Sequence, residues 1–285
     1  MTEFLQQLLN GLSLGAIYAL IALGYTMVYG VLRFINFAHS DVFMVGAYVG
    51  YFVAPRLGGG TLVGGVLVLI AAMVACSLLG MTIEKLAYRP LRQRSTLTVL
   101  ITAIGVSLFL QNAGQKLFGA NPKAFPRVFP ETQLQFAGLT ISSNQLIVLA
   151  VAVLLLAGLH HIVNHTKTGT AMRAVAFNAQ AASLVGINND RIISFTFALG
   201  SSLAGAGGIL YAMNYPSIDP LMGTLPGLKA FVAAVLGGIG NLPGAALGGM
   251  LIGLIETLVS GTRASTFRDA IAFALLIIIS PYRRD

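Results

Sequence analysis

Histidines form the densest group of residues in this sequence that could bind a metal ion. His161 and His165 are four residues apart, a spacing that places two imidazoles on one helical face, and His160 precedes them. No carboxylate or cysteine falls nearby to complete a ligand set, and the group stands at the end of an apolar run. We therefore predict no metal site and place these side chains at a membrane interface.

Catalytic motifs are absent from the sequence. None of its lysines lies in a Gly-x-x-x-x-Gly-Lys-Ser/Thr phosphate loop, and no His-Glu-x-x-His helix occurs. Gly11-Leu-Ser-Leu-Gly15 has the spacing of a Gly-x-Ser-x-Gly elbow, but it lies within an apolar run and is interpreted as a helix-packing motif. Cys76 is the single cysteine and lies within an apolar run, which excludes a disulfide framework and a cysteine metal cluster. The sequence thus predicts no catalytic residue and no cofactor, and this chain by itself is not expected to hydrolyse ATP.

A polar group interrupts the apolar sequence near the start of the chain. Asn36, His39 and Asp41 begin a segment that then runs apolar through Val53. Ionisable groups inside a membrane cost about 2.5–3.5 kcal/mol each on insertion scales, so they usually face a bundle interior or a cavity. We therefore nominate all three as translocation-pathway residues. The alternative is that Asn36 caps a helix whose first turn carries Asp41, with His39 at a polar boundary.

A glycine-rich run around residue 240 cannot continue an unstrained helix. Gly238, Gly240 and Pro243 stand close together, and glycine and proline are the poorest helix formers. Irregular backbone at membrane depth is tolerated only where it is buried in protein or lines a water-filled cavity, as in transporters. Gly238, Gly240 and Asn241 are therefore nominated as pathway residues, and an interfacial loop is the open alternative.

Composition indicates that lipid surrounds the elements that carry these residues. Of the 285 residues, 56% are hydrophobic and 9% are charged, whereas a soluble domain has roughly 25% charged residues. A spanning helix needs about 20 mostly apolar residues. The sequence predicts one all-α transmembrane domain over residues 1–285, a bundle of eight full spans plus a short or re-entrant segment that starts near Lys229. The predicted spans lie within 3–33, 36–54, 56–84, 94–116, 131–167, 191–219, 245–260 and 267–281.

Basic residues predict the orientation of the spans. The loop 84–94 carries four basic residues against one acidic residue, which places it in the cytoplasm by the positive-inside rule. The loop 167–191, two spans later, is then cytoplasmic as well, and the proline-rich loop 116–138 is periplasmic. The net charge of +8 does not indicate nucleic acid binding, because the basic residues are scattered singly.

The loop 167–191 is predicted to form two short helices outside the membrane. Thr168 or Thr170 could cap a helix through Phe177, and Asn178 could cap a second helix that ends at Gly186. The apolar side chains of these helices pack either against this protein's own spans or the lipid interface, or into a groove of a partner. The side chains in question are Met172, Val175, Ala176, Phe177, Leu184 and Val185.

Several of these segments resemble the LivH-type permease subunit of bacterial branched-chain amino acid ABC importers. The likeness extends over nearly the whole chain. It is carried by residues 10–30, by Ile35-Asn-Phe-Ala-His-Ser-Asp41, by 169–174 and 184–188, and by the 237–244 run. Ser40 departs from the family pattern, in which glycine is expected. The resemblance implies a multi-pass permease of the bacterial inner membrane that moves Leu, Ile or Val from periplasm to cytoplasm.

The same resemblance implies partners and a cytoplasmic coupling helix pair. A LivM-type second permease, two ATP-binding cassette ATPase subunits and a periplasmic substrate-binding protein would complete the importer, with ATP hydrolysed on the partners. The implied coupling residues are Met172, Arg173, Ala174, Asn178 and Gly186. Two alternatives stay open, a related permease for urea or short amides and a passive channel for a small polar solute.

Overall fold

The computed structural model describes residues 2–92, 94–136, 139–262, 265–270 and 273–274, and these residues are mostly helical. The helices are α1 (Thr2–Leu32), α2 (His39–Val53), α3 (Leu62–Ile83), α4 (Thr96–Phe118), α5 (Ser143–His165), α6 (Lys167–Phe177), α7 (Ala179–Leu184), α8 (Asn189–Asn214), α9 (Thr224–Gly237) and α10 (Leu242–Ser260). A π-helical turn, Glu84–Tyr88, and a 3-10 turn, Arg89–Leu91, extend α3, and a further 3-10 turn covers Ser265–Phe267.

Within the described ranges, six helices are long and apolar enough to cross a bilayer, so the chain is a multi-pass membrane protein. They are α1, α3 with its extension, α4, α5, α8 and α10. The prediction of eight full spans is corrected at residues 36–54. The helix there, α2, begins only at His39 and has 15 residues, fewer than the roughly 20 that a span needs. The span predicted at 267–281 lies mostly outside the described residues.

The first helix, α1, lies at the centre of the bundle. Every residue from Ser13 to Val28 is buried, and α8, α9 and α10 pack around it. Glycine permits the closest approach, because a Cβ added at Gly15 would lie 2.8 Å from the backbone of Met250 in α10. Helices α3, α4 and α5 lie at the periphery and expose large apolar side chains, as expected of faces that contact lipid or a partner subunit.

Short antiparallel strands connect the loops at one end of the bundle. β1 (Lys123–Ala124) pairs with β4 (Ser217–Ile218), and β2 (Gln133–Phe136) pairs with β3 (Leu139–Ser142). The all-α prediction therefore missed two small ribbons. The ribbons and the loop 167–191 lie at opposite ends of α5, which agrees with the predicted placement of loops 116–138 and 167–191 on opposite sides of the membrane.

The helix break predicted from the glycine-rich run is confirmed. α9 ends at Gly237, and α10 begins at Leu242. Between them, Gly238 and Gly240 have φ values of 95° and 96°, in the left-handed region that favours glycine. The side chain of Asn241 accepts a hydrogen bond from the Gly244 N–H at 3.2 Å and so caps α10. The 14-residue α9 is therefore the short segment that the sequence predicts.

Candidate functional site

The polar group at the start of α2 is buried and contacts three neighbouring helices. Asn36, His39 and Asp41 are each at most 4% exposed. Tyr88, in the turn after α3, donates a hydrogen bond to Asn36 Oδ1 at 2.6 Å. Gln111 of α4 donates to Asp41 Oδ1 at 3.0 Å, and the His39 ring lies against α1. Asp41 does lie in the first turn of α2, as the capping alternative has it, but Asn36 does not cap this helix. The N-cap residue is Ala38, and the Asn36 side chain accepts its hydrogen bond from Tyr88.

Two polar atoms of this group have no hydrogen-bond partner among the described residues. They are His39 Nε2 and Asp41 Oδ2. A buried polar atom without a partner costs about 1–3 kcal/mol. Ionisable side chains at membrane depth commonly mark a substrate pathway. The start of α2 therefore contains one carboxylate oxygen and one imidazole nitrogen that are buried and lack a hydrogen-bond partner among the described residues.

A second short helix begins beside this group. A Cβ added at Gly223, the N-cap residue of α9, or at Gly227, in its first turn, would collide with Ser40. The first turns of α2 and α9 are therefore in contact. Helix N-termini carry partial positive charge, and transporters present the ends of broken helices to anionic substrate groups. Ser40, the residue that departs from the family pattern, fills this contact and is 8% exposed.

The predicted pathway residues do not form a single cluster. Gly238, Gly240 and Asn241 lie at the opposite end of α9, where Gly240 faces Gly30 near the end of α1. A cavity of about 90 Å³ lies there between α1, α6 and the break. The lining residues include Thr26, Gly30, Met172, Arg173, Gly240 and Leu242. The break and α6 therefore line the same cavity.

Local hydrogen bonds build that helix pair. The side chain of Thr166, rather than either of the predicted threonines, accepts a hydrogen bond from the backbone in the first turn of α6 at 3.0 Å. Asn178 caps α7 as predicted, because its side chain accepts from the Ala181 N–H at 3.0 Å. Gly186 has a φ of 86° where the chain turns towards α8, as a C-terminal glycine does.

Three of the predicted coupling residues hold α6 against the rest of this chain. Met172 is 4% exposed and belongs to the hydrophobic core, and Ala174 packs against that core. Arg173 donates a hydrogen bond to the Val163 carbonyl near the end of α5. Direct contact with a partner is therefore not available to Met172, and the coupling role of the group stays a prediction.

The structure divides the apolar side chains of the two helices into a buried set and an exposed set. Met172 and Val175 are buried within this chain. Phe177, Leu184 and Val185 are 89%, 88% and 76% exposed. Exposed apolar side chains that form a contiguous patch are typical of an interaction surface. Sequence reasoning named these three residues but did not separate them from the buried ones, because periodicity in so short a loop does not show which face is covered.

Sequence reasoning also missed an ion pair between α9 and α10. Lys229 Nζ lies 2.6 Å from Glu256 Oε1, and both side chains are almost fully buried. Tyr18 of α1 donates a hydrogen bond to Glu256 Oε2 at 2.9 Å, and Asp269 lies 2.6 Å from the same Lys229 nitrogen. Glu256 is therefore not the boundary charge that its position near a span end suggests. The sequence did contain a signal for this ion pair. Lys229 is a single lysine in an apolar segment, and such a cation needs a partner.

A second ionic network joins the basic loop after α3 to α8. Glu84 is fully buried and pairs with Arg89 at 3.0 Å and with Arg92. Arg92 also lies 2.7 Å from Asp190, in the first turn of α8. Burial lowers the pKa of the Arg92 guanidinium, and the nearby Asp190 carboxylate opposes this shift. The network holds the end of α3 against the start of α8, the helix that directly follows the α6–α7 pair.

Comparison with known proteins assigns the family. Residues 7–280 match the family described as branched-chain amino acid transport system / permease component. The chain is 42% identical to the high-affinity branched-chain amino acid transport system permease protein BraD of Pseudomonas aeruginosa, over 99% of this chain and 94% of that protein. It is 41% identical to the corresponding protein LivH of Escherichia coli K12, over 97% and 92%. A probable LivH of Methanocaldococcus jannaschii is 30% identical, over 87% and 78%. The resemblance read from the motifs is thus confirmed, and the chain belongs to the family of branched-chain amino acid transport permease components.

Proposed function

We propose that this chain is the permease subunit of an ABC importer that carries Leu, Ile and Val from the periplasm to the cytoplasm across the bacterial inner membrane. The identity to BraD and LivH over nearly the full length of each chain supports this substrate class over urea, short amides or a passive channel. Two partner ATPase subunits hydrolyse the ATP, since this sequence has no phosphate loop. A LivM-type permease and a periplasmic binding protein complete the complex.

The position of α6 is the observation that carries the coupling mechanism. One end of the α6–α7 pair exposes Phe177, Leu184 and Val185, whereas the other part of α6 lines the cavity beside Gly240. An ATPase subunit that binds the exposed end can therefore displace α6 against the break between α9 and α10. Arg173, Ala174, Asn178 and Gly186 keep the pair rigid enough to transmit that displacement.

We propose that the substrate pathway runs along α2 and α9; the contact of their first turns at Ser40 supports this. An amino acid zwitterion needs a partner for each of its charges in a low-dielectric passage. Asp41 Oδ2 is suited to the ammonium group, and the first turn of α9 is suited to the carboxylate. Asn36 and His39 add neutral hydrogen bonds. Gly238, Gly240 and Asn241 form the hinge that lets α9 move relative to α10.

A paired substitution tests the coupling mechanism. Phe177→Ala with Leu184→Ala removes two side chains that are 89% and 88% exposed, so the fold of the permease is expected to stay intact. Leucine uptake and the transport-stimulated ATPase rate should fall about ten-fold, the equivalent of 1.4 kcal/mol of docking energy. Leu117→Ala, at a 75% exposed site at the other end of the bundle, is the matched control. Normal uptake by the double variant would contradict the docking role.

Two further measurements test the role of Arg173 and the substrate class. Arg173→Glu breaks the hydrogen bond to Val163 and is expected to abolish uptake while the complex still assembles. Competition of labelled leucine uptake by valine, urea and short amides, in a strain without other leucine transporters, tests the substrate class. Valine alone should compete, and competition by urea would favour the other substrate class.

A further inference from the structure

The α6–α7 pair is hydrogen-bonded to the first turn of α8. Asn189 Nδ2 donates to the Ala179 carbonyl, in the first turn of α7, at 2.7 Å. The next residue of α8, Asp190, lies 2.7 Å from Arg92 and 3.8 Å from Arg89. A displacement of α7 is therefore passed to the turn that carries the carboxylate that both arginines contact.

The two arginines connect this turn to a buried carboxylate. Arg89 and Arg92 both pair with Glu84, whose side chain is fully buried. Ser194 of α8 also donates a hydrogen bond to Glu84. These side chains and Asp190 form the Glu84 network. A buried charge that loses its partner is strongly unfavourable, so Glu84 is expected to move with the arginines rather than to separate from them.

A single π-helical turn joins this network to the polar group at the start of α2. Glu84 is its first residue and Tyr88 its last, and π-helical turns are rare and frequent at functional sites. The Tyr88 side chain is buried, and its hydroxyl donates to Asn36 Oδ1 at 2.6 Å. The centroid of its ring lies 5.2 Å from that of Phe34, before α2, and 5.5 Å from that of Phe197, in α8. Tyr88 thus contacts both the pathway group and α8.

We propose that the Glu84 network and Tyr88 transmit a displacement of the α6–α7 pair to the start of α2. Energetic coupling between distant sites is carried by hydrogen bonds, ion pairs and rigid helices in contact, and this connection consists of all three. Tyr88 is a positioning residue, because it acts through the amide of Asn36. The inference rests on the proposed function, in which an ATPase subunit displaces the α6–α7 pair.

The displacement then reaches both short helices of the proposed pathway. α6 lines the cavity that contains Gly240, just after the end of α9. The Glu84 network leads instead to Asn36, just before α2. The first turns of these two short helices are in contact at Ser40. One movement of the α6–α7 pair therefore acts on both sides of the contact at Ser40.

The amount of leucine transported per ATP hydrolysed tests this connection. The complete importer is reconstituted in proteoliposomes with its partner subunits and binding protein, and uptake and ATP hydrolysis are measured on the same sample. Tyr88→Phe removes only the hydroxyl that donates to Asn36. Asp190→Ala removes the carboxylate that contacts Arg92. The double variant combines the two substitutions.

Two substitutions outside the connection are the matched controls. Tyr215→Phe removes a hydroxyl from a 43% exposed tyrosine directly after the other end of α8. Glu131→Ala removes a carboxylate whose ion pair with Arg127, at 3.5 Å, lies in the loop between β1 and β2. Both controls should keep the wild-type ratio of leucine to ATP.

Tyr88→Phe and Asp190→Ala should each lower this ratio about five-fold, the equivalent of roughly 1 kcal/mol, while ATP hydrolysis continues. The double variant should be no worse than the poorer single variant, because both substitutions interrupt one connection. At independent sites the two losses would multiply to about 25-fold. The Asp190 side chain is 56% exposed, so Asp190→Ala decides the matter alone if Tyr88→Phe does not assemble.

Four results would overturn the proposal. They are a wild-type ratio in an assembled single variant, losses that multiply in the double variant, uptake and ATP hydrolysis that fall together, and a lowered ratio in a control. The third result is the one that a purely structural role of Tyr88 predicts. A wild-type importer that takes up no leucine would instead contradict the proposed function.

Discussion

Removing the charge of Lys229 is expected to destabilise the permease more than removing the charge of Glu256. In Lys229→Met, the carboxylates of Glu256 and Asp269 both lose the cation that lies 2.6 Å away. Loss of one partner from a buried ion pair costs about 3–5 kcal/mol. In Glu256→Gln, Lys229 keeps its contact with Asp269, so the cost is nearer that of a hydrogen bond to a charged group, about 1.5–3 kcal/mol.

A double variant shows how much of the destabilisation comes from leaving one charge of the pair without its partner. Apolar residues of similar volume in place of a buried ion pair are often neutral or stabilising. Lys229→Met with Glu256→Met is therefore expected to be more stable than Lys229→Met alone. The Tyr18 hydroxyl, left without its acceptor, offsets part of this recovery.

Thermal unfolding in detergent measures these differences. For a chain of 150–250 residues, 1 kcal/mol shifts Tm by about 2–4 °C, so Lys229→Met should lower Tm by about 6–20 °C. Lys167→Met, at an exposed lysine of α6, is the matched control and should leave Tm unchanged. A Lys229→Met variant that melts within about 2 °C of the wild type would refute the assigned ion pair. A double variant that melts no higher than Lys229→Met would do the same.

Three other predictions concern packing, capping and the pathway. Gly15→Ala forces a Cβ against the backbone of α10 and should cost about 1–3 kcal/mol, whereas Gly158→Ala, with nothing within 4 Å of the added carbon, should stabilise α5 by about 0.5–1 kcal/mol. Equal Tm values for these two variants would contradict the packing. Asn178→Ala removes the cap of α7, worth about 1 kcal/mol, and should speed amide hydrogen exchange over residues 179–184; unchanged exchange there counts against the cap. Asp41→Asn keeps the shape beside Gln111 but removes the charge, and leucine uptake should fall about ten-fold at an unchanged level of assembled complex. Uptake at the wild-type rate would remove Asp41 from the pathway.

The long helices could be predicted from the sequence because lipid imposes a simple rule on them. A charge-free stretch of about 20 residues must satisfy its backbone internally, and a helix is the way for one segment to do so. The break at Gly238 and Gly240 was also predictable, because glycine disfavours a helix whatever surrounds it. The roles of Asn178 at the start of α7 and of Gly186 after its end were predicted correctly, because a helix cap depends on residues that are close in sequence.

Features that depend on distant contacts could not be predicted in this way. The sequence places Lys229 at the start of the short segment and Glu256 in the span 245–260, but it does not show that the two side chains pair within the bundle. It also predicts a full span over 36–54, whereas His39 and Asp41 are buried at the start of a shorter helix. The exposure of Phe177 and the burial of Met172 depend on how α6 packs against α1 and α5, which a single sequence does not reveal.

The central position of α1 has a consequence for biosynthesis. Synthesis proceeds from the amino terminus, so this helix enters the bilayer long before α8 and α10 have been translated. Until α10 has been translated, the face of α1 that carries Gly11 and Gly15 lacks the helix that it packs against in the finished bundle. The core of the bundle is therefore completed only late in synthesis, and a chain truncated before α10 leaves this face of α1 without its partner helix.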